Sequence, residues 1–425
     1  MSRVLFYTSP ARGHLFPIMG VAAELARRGH EVHVQTLASG LERVRALGIA
    51  GSPIDSRIES RELDDWKAKN PLAALERAMQ TFADRASFEL ADLQSSIATF
   101  RPDLLVVDTN TWGAQAVAEA SGLPWALFQP YFTALPAVGV PPFGPGFAPI
   151  SGPIGRLRDR VLGALVTGKL AKLMLPAVNP LRAELGLQPV TTLKTALTRA
   201  PLVLYFTVPE LEYPRERWPA SYRFVGPALG GPSGAAPAWL DDVNQPIVVV
   251  TCSTEHQDDR ALVETALAAL PSKGYFVVAT TAAHNPASFD APAEGAIVER
   301  FLPHAALLKR AVVAVAHGGM GITQRALANG VPVVVIPFGR DQNEVARRVD
   351  HAGVGVRLPR RRLRPESLTA AVDQASTLRK AADAMSARMA AAGGDRAAAN
   401  AIEELLQSRT ERDAGTEPAM GRTVP

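Results

Sequence analysis

The sequence contains few of the residues that characterise secreted, membrane-spanning or nucleic-acid-binding proteins. One cysteine, Cys252, occurs among 425 residues, which excludes an intrachain disulfide framework and indicates a reducing compartment. The net charge is only +4, and the 45 basic and 41 acidic residues are dispersed, so no nucleic acid partner is expected. No uninterrupted apolar run reaches the roughly 18 residues of a spanning helix, and Met1–Thr8 lacks the charged start and cleavage site of a signal peptide. We therefore expect a soluble, cytoplasmic protein.

Short apolar runs alternate with helical patterns along most of the chain. Val4–Thr8, a helical pattern through Leu25 and a second strand at Glu31–Thr36 form a unit whose crossover implies a parallel sheet. The region from Val225 to Gln245 is rich in Gly, Pro and Ala, which indicates a linker, and the alternation resumes at Ile247. This pattern predicts an α/β protein with two doubly wound Rossmann-like domains facing each other across a cleft. The predicted parts are an N-terminal domain at 1–225, a linker at 226–245, a C-terminal domain at 246–406 and a disordered tail at 407–425.

A strand, a glycine turn and a short helix follow one another between Ala311 and Pro332. Glycines allow the backbone to approach a ligand closely, and a helix N-terminus directs N–H groups and a positive dipole end towards an anion. The turn has neither the lysine of a P-loop nor the dinucleotide fingerprint, and a histidine begins it. The pattern predicts a phosphate-binding site formed by His317, Gly318, Gly319, Gly321, Ile322 and Thr323.

The segments around this turn carry a family resemblance. Phe301-Leu-Pro-His304 precedes it, Pro337-Phe-Gly-Arg-Asp-Gln342 follows it, and Gly13-His-Leu-Phe-Pro17 and Arg28-Gly-His30 stand near the N-terminus. Together they resemble the signature of GT-B glycosyltransferases, which use nucleotide sugars on small lipophilic acceptors and include plant and actinobacterial natural-product enzymes. The resemblance covers nearly the whole chain and implies a nucleotide-sugar donor, here a UDP- or dTDP-sugar.

The resemblance gives several positions a role in donor binding. Phe301 stands where an aromatic side chain stacks on the nucleobase, although a core position is an alternative, and His304 replaces a Gln that contacts the base edge. Asp341 and Gln342 match a pair that hydrogen-bonds sugar hydroxyls; without the resemblance, they would be interpreted as a helix cap. The small hydroxyl residues Ser253 and Thr254 match a loop near the diphosphate, but such residues are common in turns.

One position departs from the family pattern. Arg325 stands where many relatives carry a Glu that binds the ribose hydroxyls. A guanidinium donates hydrogen bonds and cannot accept them, so the ribose contact must differ. This departure favours a deoxyribose donor such as a dTDP-sugar.

Two residues at strand ends are the catalytic candidates. His14 follows the first strand, and a neutral imidazole can remove the proton of an acceptor hydroxyl as the oxygen attacks the anomeric carbon. Asp108 ends another strand and matches the carboxylate that orients the family's histidine. Alone, the histidine would be interpreted as a surface residue and the aspartate as a cap. The pair predicts direct displacement with inversion at the anomeric carbon. Transfer to an acceptor carbon or nitrogen instead of a hydroxyl is an alternative, because a base that activates a phenol also serves an electron-rich ring carbon.

Other expectations concern cofactors, partners and alternative functions. No Asp-x-Asp pair and no His/Cys cluster with ligand spacing is present, so no metal and no cofactor besides the nucleotide-sugar cosubstrate is expected. The protein is expected to be a monomer or homodimer, with acceptor shape set by Ser52–Asn70 and Phe132–Ile150. An amphipathic stretch from Arg156 to Leu175 allows at most peripheral membrane contact. Alternatives are a sugar-nucleotide epimerase, a lipid-linked-sugar transferase at the membrane face and a non-catalytic nucleotide-sugar-binding module.

Overall fold

The computed structural model describes residues 1–230, 234–255, 257–290 and 294–415 and contains two parallel sheets. The N-terminal half forms a seven-stranded sheet of order β3-β2-β1-β4-β5-β6-β7. Its strands are β1 (Arg3–Tyr7), β2 (Glu31–Thr36), β3 (Ala50–Pro53), β4 (Leu104–Asp108), β5 (Trp125–Gln129), β6 (Leu202–Tyr205) and β7 (Tyr222–Phe224). Its helices are α1 (Arg12–Arg27), α2 (Leu41–Ala46), α3 (Ser56–Glu59), α4 (Pro71–Phe100), α5 (Trp112–Ala120), α6 (Gly152–Glu184) and α7 (Leu193–Leu197).

The second sheet has six strands in the order β10-β9-β8-β11-β12-β13. They are β8 (Ile247–Thr251), β9 (Phe276–Thr280), β10 (Ala296–Glu299), β11 (Ala311–Ala316), β12 (Val333–Val335) and β13 (Gly355–Arg357). The helices of this half and of the C-terminus are α8 (Arg260–Ala269), α9 (His304–Leu308), α10 (Met320–Ala328), α11 (Gln342–His351), α12 (Pro365–Ser376), α13 (Arg379–Ala392) and α14 (Asp395–Gly415).

The central strands are buried along their whole length because helices cover both faces of each sheet. Every residue of β4, β5 and β8 is buried, which is the pattern of a parallel sheet enclosed on both sides. The predicted fold class, two doubly wound Rossmann-like units, is confirmed.

The strand order determines where ligands can bind. In an open parallel sheet, a crevice forms at the carboxyl ends of the two strands between which the direction of winding reverses. In the first sheet these strands are β1 and β4, and in the second they are β8 and β11. His14 follows β1, Asp108 ends β4, Ser253 follows β8 and His317 follows β11. The four residues therefore lie at the two crevices.

Three of the four strands at the sheet edges, β3, β7 and β13, were not predicted from the sequence. β3 has the sequence Ala-Gly-Ser-Pro, whose composition is typical of a turn, and it occupies an edge where a proline is tolerated. β7 and β13 have three residues each, too few to show a period. Helix α6 is longer than the predicted amphipathic stretch, which ended at Leu175, because the helix continues through Pro176 and Pro180.

The C-terminal end of the chain differs from the prediction. Helix α14 runs to Gly415, so the described residues 407–415 are helical rather than disordered, and 416–425 lie outside the described residues. Small side chains on one face of α14 pack into the same apolar core as β1 and α1 of the N-terminal half. The chain therefore returns to the first unit after completing the second. Of the predicted linker at 226–245, residues 231–233 also lie outside the described residues, and 226–230 and 234–245 contain no strand.

A buried carboxyl group joins α4 to α5 behind the first crevice. A β-carbon added to Gly113 would lie 1.8 Å from the carbonyl oxygen of Ala86, so the two helices are in backbone contact. Glu89 accepts a hydrogen bond from the N–H of Gly113 at 2.9 Å, and burial raises the pKa of Glu89 to about 8.

Replacing Glu89 by Gln should make the protein more stable at alkaline pH. Between about 4.5 and about 8 the folded state holds a proton that the unfolded state has lost, so the unfolding free energy falls as pH rises through this window. One pKa unit corresponds to about 1.4 kcal/mol. A Gln side chain keeps the carbonyl acceptor and has no charge to bury. The melting temperature of Glu89→Gln relative to the unmodified chain should increase from pH 5 to pH 9, and a constant difference would contradict the assignment.

Candidate active site

His14 and Asp108 are in direct contact at the first crevice, as the sequence predicts. His14 Nδ1 lies 2.8 Å from Asp108 Oδ2 and 3.0 Å from Oδ1. Asp108 is fully buried and also accepts hydrogen bonds from the Ser9 hydroxyl and the Asn110 N–H. His14 lies in the first turn of α1 rather than in the preceding turn, because α1 already begins at Arg12. The helix and the strand end together fix the imidazole and its carboxylate.

Two residues that the sequence analysis missed define the other face of the imidazole. The Tyr131 hydroxyl donates to Asn110 Oδ1 at 2.7 Å, which turns the Asn110 amide nitrogen towards His14 Nε2 at 3.3 Å. An amide nitrogen only donates, and a carboxylate only accepts. The network therefore favours the tautomer with its proton on Nδ1 and a lone pair on Nε2, where a base would receive a proton. Asn110 and Tyr131 each lie two residues beyond a strand end, which is the signal that could have indicated them.

The charges around His14 favour its protonated form. Burial opposes protonation, but the carboxylates of Asp108, Asp341 and Glu255 outweigh it and raise the pKa of His14 above its ordinary 6.5. Asp341 and Glu255 belong to the second half of the chain. The N–H of Arg12, two residues before His14, donates to Glu255 Oε1 at 3.3 Å, so the two crevices face each other at short range.

The glycine turn after β11 and the start of α10 form a closely packed site at His317, Gly318 and Gly319, which we call the glycine cradle. Gly318 has φ +98°, a conformation that favours glycine, and a β-carbon there would lie 2.9 Å from Val335 Cγ1. A β-carbon on Gly319 would lie 2.5 Å from His317 Nε2, so the imidazole lies directly against the start of α10. His317 is buried, its Nδ1 has no hydrogen-bond partner among the described residues, and burial lowers its pKa. A neutral imidazole and the first N–H groups of α10 are thus held together.

The other residues of this turn divide into two groups. Gly321 is exposed and has no neighbour within 4 Å of a β-carbon position, so the start of α10 is accessible there. Thr323 is buried, and its hydroxyl donates a hydrogen bond to the carbonyl of Gly319 at 2.9 Å. The hydroxyl proton is therefore not available for the predicted hydrogen bond to a phosphate. Ile322 packs against the apolar core with part of its side chain. Thr323 and Ile322 therefore support the turn.

The side chains of Asp341 and Gln342 differ in whether their polar groups are available to bind a ligand. Asp341 is the N-cap residue of α11, yet its side chain makes no capping hydrogen bond, so the alternative interpretation as a helix cap does not apply to its carboxylate. Gln342 is buried, its amide oxygen accepts from the N–H groups of Phe338 and Gly339, and its amide nitrogen donates to Gln257 at 2.7 Å. Gln342 thus holds the loop that presents Asp341.

The aromatic and histidine candidates follow strand β10, and His304 lies beside the carboxyl end of β9. The Phe301 side chain is 60% exposed, which rules out a core position and leaves a ring face available. His304 begins α9, its Nε2 lies 2.9 Å from the Thr280 hydroxyl, and burial together with the nearby Arg325 lowers its pKa to about 4. A neutral His304 is therefore expected at physiological pH.

Of the remaining positions on the donor side, Ser253 and Arg325 form hydrogen bonds within the protein. Ser253 is buried, and its hydroxyl accepts from the N–H of Glu255, whereas Thr254 is exposed. Arg325 donates to the carbonyl of Gly230 at 2.8 Å. Arg325 therefore connects α10 to the segment between the two halves and provides no acceptor for ribose hydroxyls.

The structure brings together a set of ligand-type side chains that sequence spacing did not indicate. Ligand atoms of Cys252, Asp259 and His284 lie within 4.8 Å of one another. They are already hydrogen-bonded: His284 Nε2 lies 2.8 Å from Asp259 Oδ1, and Asp259 Oδ2 accepts from the N–H of Ser253 at 2.6 Å. Burial raises the pKa of the Cys252 thiol far above its ordinary value. This arrangement supports the Ser253 loop by hydrogen bonding.

Buried ion pairs hold the two halves at a fixed distance. Arg348 of α11 donates to Glu212 at 2.7 Å and to Glu344 at 2.6 Å, and all three side chains are buried. We call these three residues the interdomain cluster. Glu344 Oε1 also accepts from the N–H groups of Gly144 and Gly146 at 2.8 Å each. The cluster thereby connects the helix that begins beside Asp341 to the predicted acceptor-shaping segment Phe132–Ile150.

Two facing Rossmann-like units, with a His–Asp pair on one side and a glycine cradle on the other, define the class of GT-B glycosyltransferases. The sequence profile described as "Erythromycin biosynthesis protein CIII-like, C-terminal domain" matches residues 266–405. The 4'-demethylrebeccamycin synthase of Lentzea aerocolonigenes is 33% identical over 384 residues, which cover 87% of this chain and 91% of that protein. The demethyllactenocin mycarosyltransferase of Streptomyces fradiae is 26% identical over 96% of this chain and 87% of its own.

A solved structure supports the same fold. The glycosyltransferase VinC in complex with dTDP superposes with a TM-score of 0.68 at 22% identity, covering 96% of this chain and 100% of that one. The protein belongs to the natural-product glycosyltransferase family that includes the 4'-demethylrebeccamycin synthase. It is accordingly a transferase of glycosyl groups.

Proposed function

We propose that the protein transfers a hexose from a dTDP-sugar to a small lipophilic natural-product acceptor, with inversion at the anomeric carbon. The observation that carries this proposal is the His14–Asp108 contact at 2.8 Å, in a crevice that faces the second half of the chain across the hydrogen bond from Arg12 to Glu255. An acceptor hydroxyl placed at His14 Nε2 loses its proton to the imidazole as its oxygen attacks the anomeric carbon. The bond from that carbon to the diphosphate breaks on the opposite face. Asp108 then stabilises the imidazolium.

The leaving diphosphate requires positive electrostatic potential. The N–H groups at the start of α10 and the buried imidazole of His317 provide hydrogen-bond donors fixed by tight packing around Gly318 and Gly319. In this proposal no metal ion takes part, so transfer should continue at the same rate in excess EDTA. Asp341, whose carboxylate does not cap α11, accepts hydrogen bonds from the sugar hydroxyls.

The proposed nucleotide is dTDP because of two observations. Arg325 offers no acceptor for a ribose 2'-hydroxyl and is bonded to Gly230, and VinC, which shares the fold, was solved with dTDP. Phe301 would stack on the base, since its ring is largely exposed. UDP is the alternative nucleotide.

Thermal unfolding with dTDP, UDP and GDP should identify the donor class. A ligand that binds only the folded state at a concentration 100 times its Kd contributes about 2.7 kcal/mol of stability. We expect the largest increase in melting temperature with dTDP. A larger increase with UDP would reverse the nucleotide assignment, and no increase with any nucleotide would contradict donor binding. Consumption of a dTDP-sugar without any acceptor product would indicate an epimerase.

A further inference from the structure

The first half of α6 exposes an apolar stripe to solvent. Ile154, Leu157 and Leu165 are 81%, 63% and 65% exposed, which is unusual for large aliphatic side chains. With Val161, which is also exposed, they follow one another at intervals of three, four and four residues and therefore share one side of the helix. Together with Ile150 in the preceding turn and Val161, they form what we call the α6 stripe: Ile150, Ile154, Leu157, Val161 and Leu165.

The opposite side of α6 is already occupied. Leu170, Met174 and Val178 are buried in an apolar cluster with Trp112 of α5 and Leu193 of α7. The sequence has no uninterrupted apolar run of spanning length, but by length and average composition α6 is apolar enough to cross a membrane. Since one side of the helix packs on its own domain, α6 is suited to lie on a surface and not to span a bilayer.

Most of the charged residues on the segment that carries the stripe are basic. Between residues 144 and 175 the chain has five basic residues, Arg156, Arg158, Arg160, Lys169 and Lys172, and one acidic residue, Asp159. Asp159 is buried and bonded to Arg158 at 2.6 Å, whereas Arg156 and Arg160 are exposed. The stripe is bordered by the exposed Arg156 and Arg160, while Lys169 pairs with the partly exposed Glu76 of α4 at 2.5 Å. An apolar stripe bordered by these two arginines complements an anionic lipid surface, because the aliphatic side chains can insert between the headgroups and the guanidinium groups can pair with phosphates.

The stripe is continuous with the predicted acceptor-shaping segment. Arg158 donates to the carbonyl of Ala148 at 2.9 Å and lies over the Phe147 ring at 5.7 Å, and this segment is fixed to the interdomain cluster through Gly144 and Gly146. A surface that holds the stripe would therefore also face the segment Phe132–Ile150. We propose that the α6 stripe docks the protein reversibly on anionic lipid bilayers. Lipophilic acceptors dissolved in the bilayer would then reach the cleft, a consequence that rests on the proposed function.

Sedimentation with vesicles tests the docking directly. The full chain should sediment with vesicles of phosphatidylglycerol and phosphatidylcholine and much less with pure phosphatidylcholine, and binding should weaken with salt. The triple variant Ile154→Ser, Leu157→Ser, Leu165→Ser should bind at least tenfold less. The matched control Leu47→Ser, Leu72→Ser removes two exposed leucines elsewhere and should bind normally. Arg156→Gln with Arg160→Gln should lower both binding and its salt dependence.

A second measurement is independent of the serine variants. Trp fluorescence of Leu157→Trp should shift to shorter wavelength on addition of anionic vesicles, while that of Leu47→Trp should not. The proposal is overturned if the unmodified chain does not sediment, if the triple variant binds equally, or if the stripe mediates a dimer that the triple variant dissociates. Vesicle binding requires no turnover, so its outcome is independent of the proposed reaction.

Discussion

Replacing His14 by Ala should lower the rate of glycosyl transfer by at least about 10²- to 10⁴-fold, the contribution expected of a general base. The variant loses the nitrogen that receives the acceptor proton, and Asp108 remains buried with its contacts to Ser9 and Asn110. Donor binding should change little, because the glycine cradle is in the other half. The measurements are initial rates at saturating donor and the melting-temperature shift with dTDP. His33→Ala is the matched control, since His33 bonds Ser52 beside β2.

The pH profile separates a base from a merely structural histidine. The deprotonated imidazole is the active form, so kcat/KM should rise with pH through the pKa of His14, which the surrounding carboxylates hold above 6.5. Asp108→Asn removes the strongest of those charges, so the rise should move to lower pH while the maximum rate falls. Undiminished transfer by His14→Ala, or a profile that Asp108→Asn leaves in place, would refute the assignment.

Replacing Arg348 by Met should have the largest effect on stability. The substitution leaves Glu212 and Glu344 buried without their cation, and breaking a buried ion pair from one side typically costs about 3–5 kcal/mol. The guanidinium also lies 4.4 Å from the Phe132 ring and 4.2 Å from the Tyr213 ring, so cation–π contacts are lost as well. The free energy of unfolding by denaturant measures the loss. Arg27→Met, which breaks an exposed pair with Glu24, should change it little.

A triple variant distinguishes unpaired charge from lost packing. Adding Glu212→Gln and Glu344→Gln to Arg348→Met removes both uncompensated carboxylates, while the amide carbonyl that replaces the Glu344 carboxylate can still accept from Gly144 and Gly146. We expect at least half of the lost stability to return. If the triple variant were no more stable than Arg348→Met, the cluster would contribute through packing alone. Because Glu344 holds the acceptor-shaping segment, Arg348→Met should also raise the acceptor KM more than the donor KM.

The accuracy of the sequence predictions varied with the kind of signal available. Continuous apolar strands such as β4 and β8 were found because full burial leaves a pattern in consecutive residues. The edge strand β3 has no such pattern, and α14 was divided at residue 406 because nothing local reveals which unit a helix will join. The location of α14 depends on the small side chains that fit against α1, which is a property of both helices.

The residues of the candidate site also divide into those that the sequence indicated and those that only the folded structure revealed. Chain position at the end of β4 and after β1 indicated Asp108 and His14, and the resemblance gave them roles, because strand ends of a parallel sheet meet at one edge. Asn110 and Tyr131 carry no motif, and their link to His14 exists only where β4 and β5 lie side by side. Likewise, the glycine turn indicated Thr323 and the resemblance indicated Gln342 as ligand-binding residues, but their hydrogen bonds in the folded chain are to Gly319, Phe338 and Gln257.

The sequence by itself determined that this protein has two doubly wound units, a glycine cradle and a histidine with an aspartate at strand ends, because these features are local or periodic. Only the tertiary structure decided what is long-range: the interdomain cluster, the return of α14 to the first unit and the exposure of the α6 stripe. Each of these depends on which surfaces meet in space. Residues 136 positions apart, as Glu212 and Arg348 are, share a buried ion pair that no window of sequence contains.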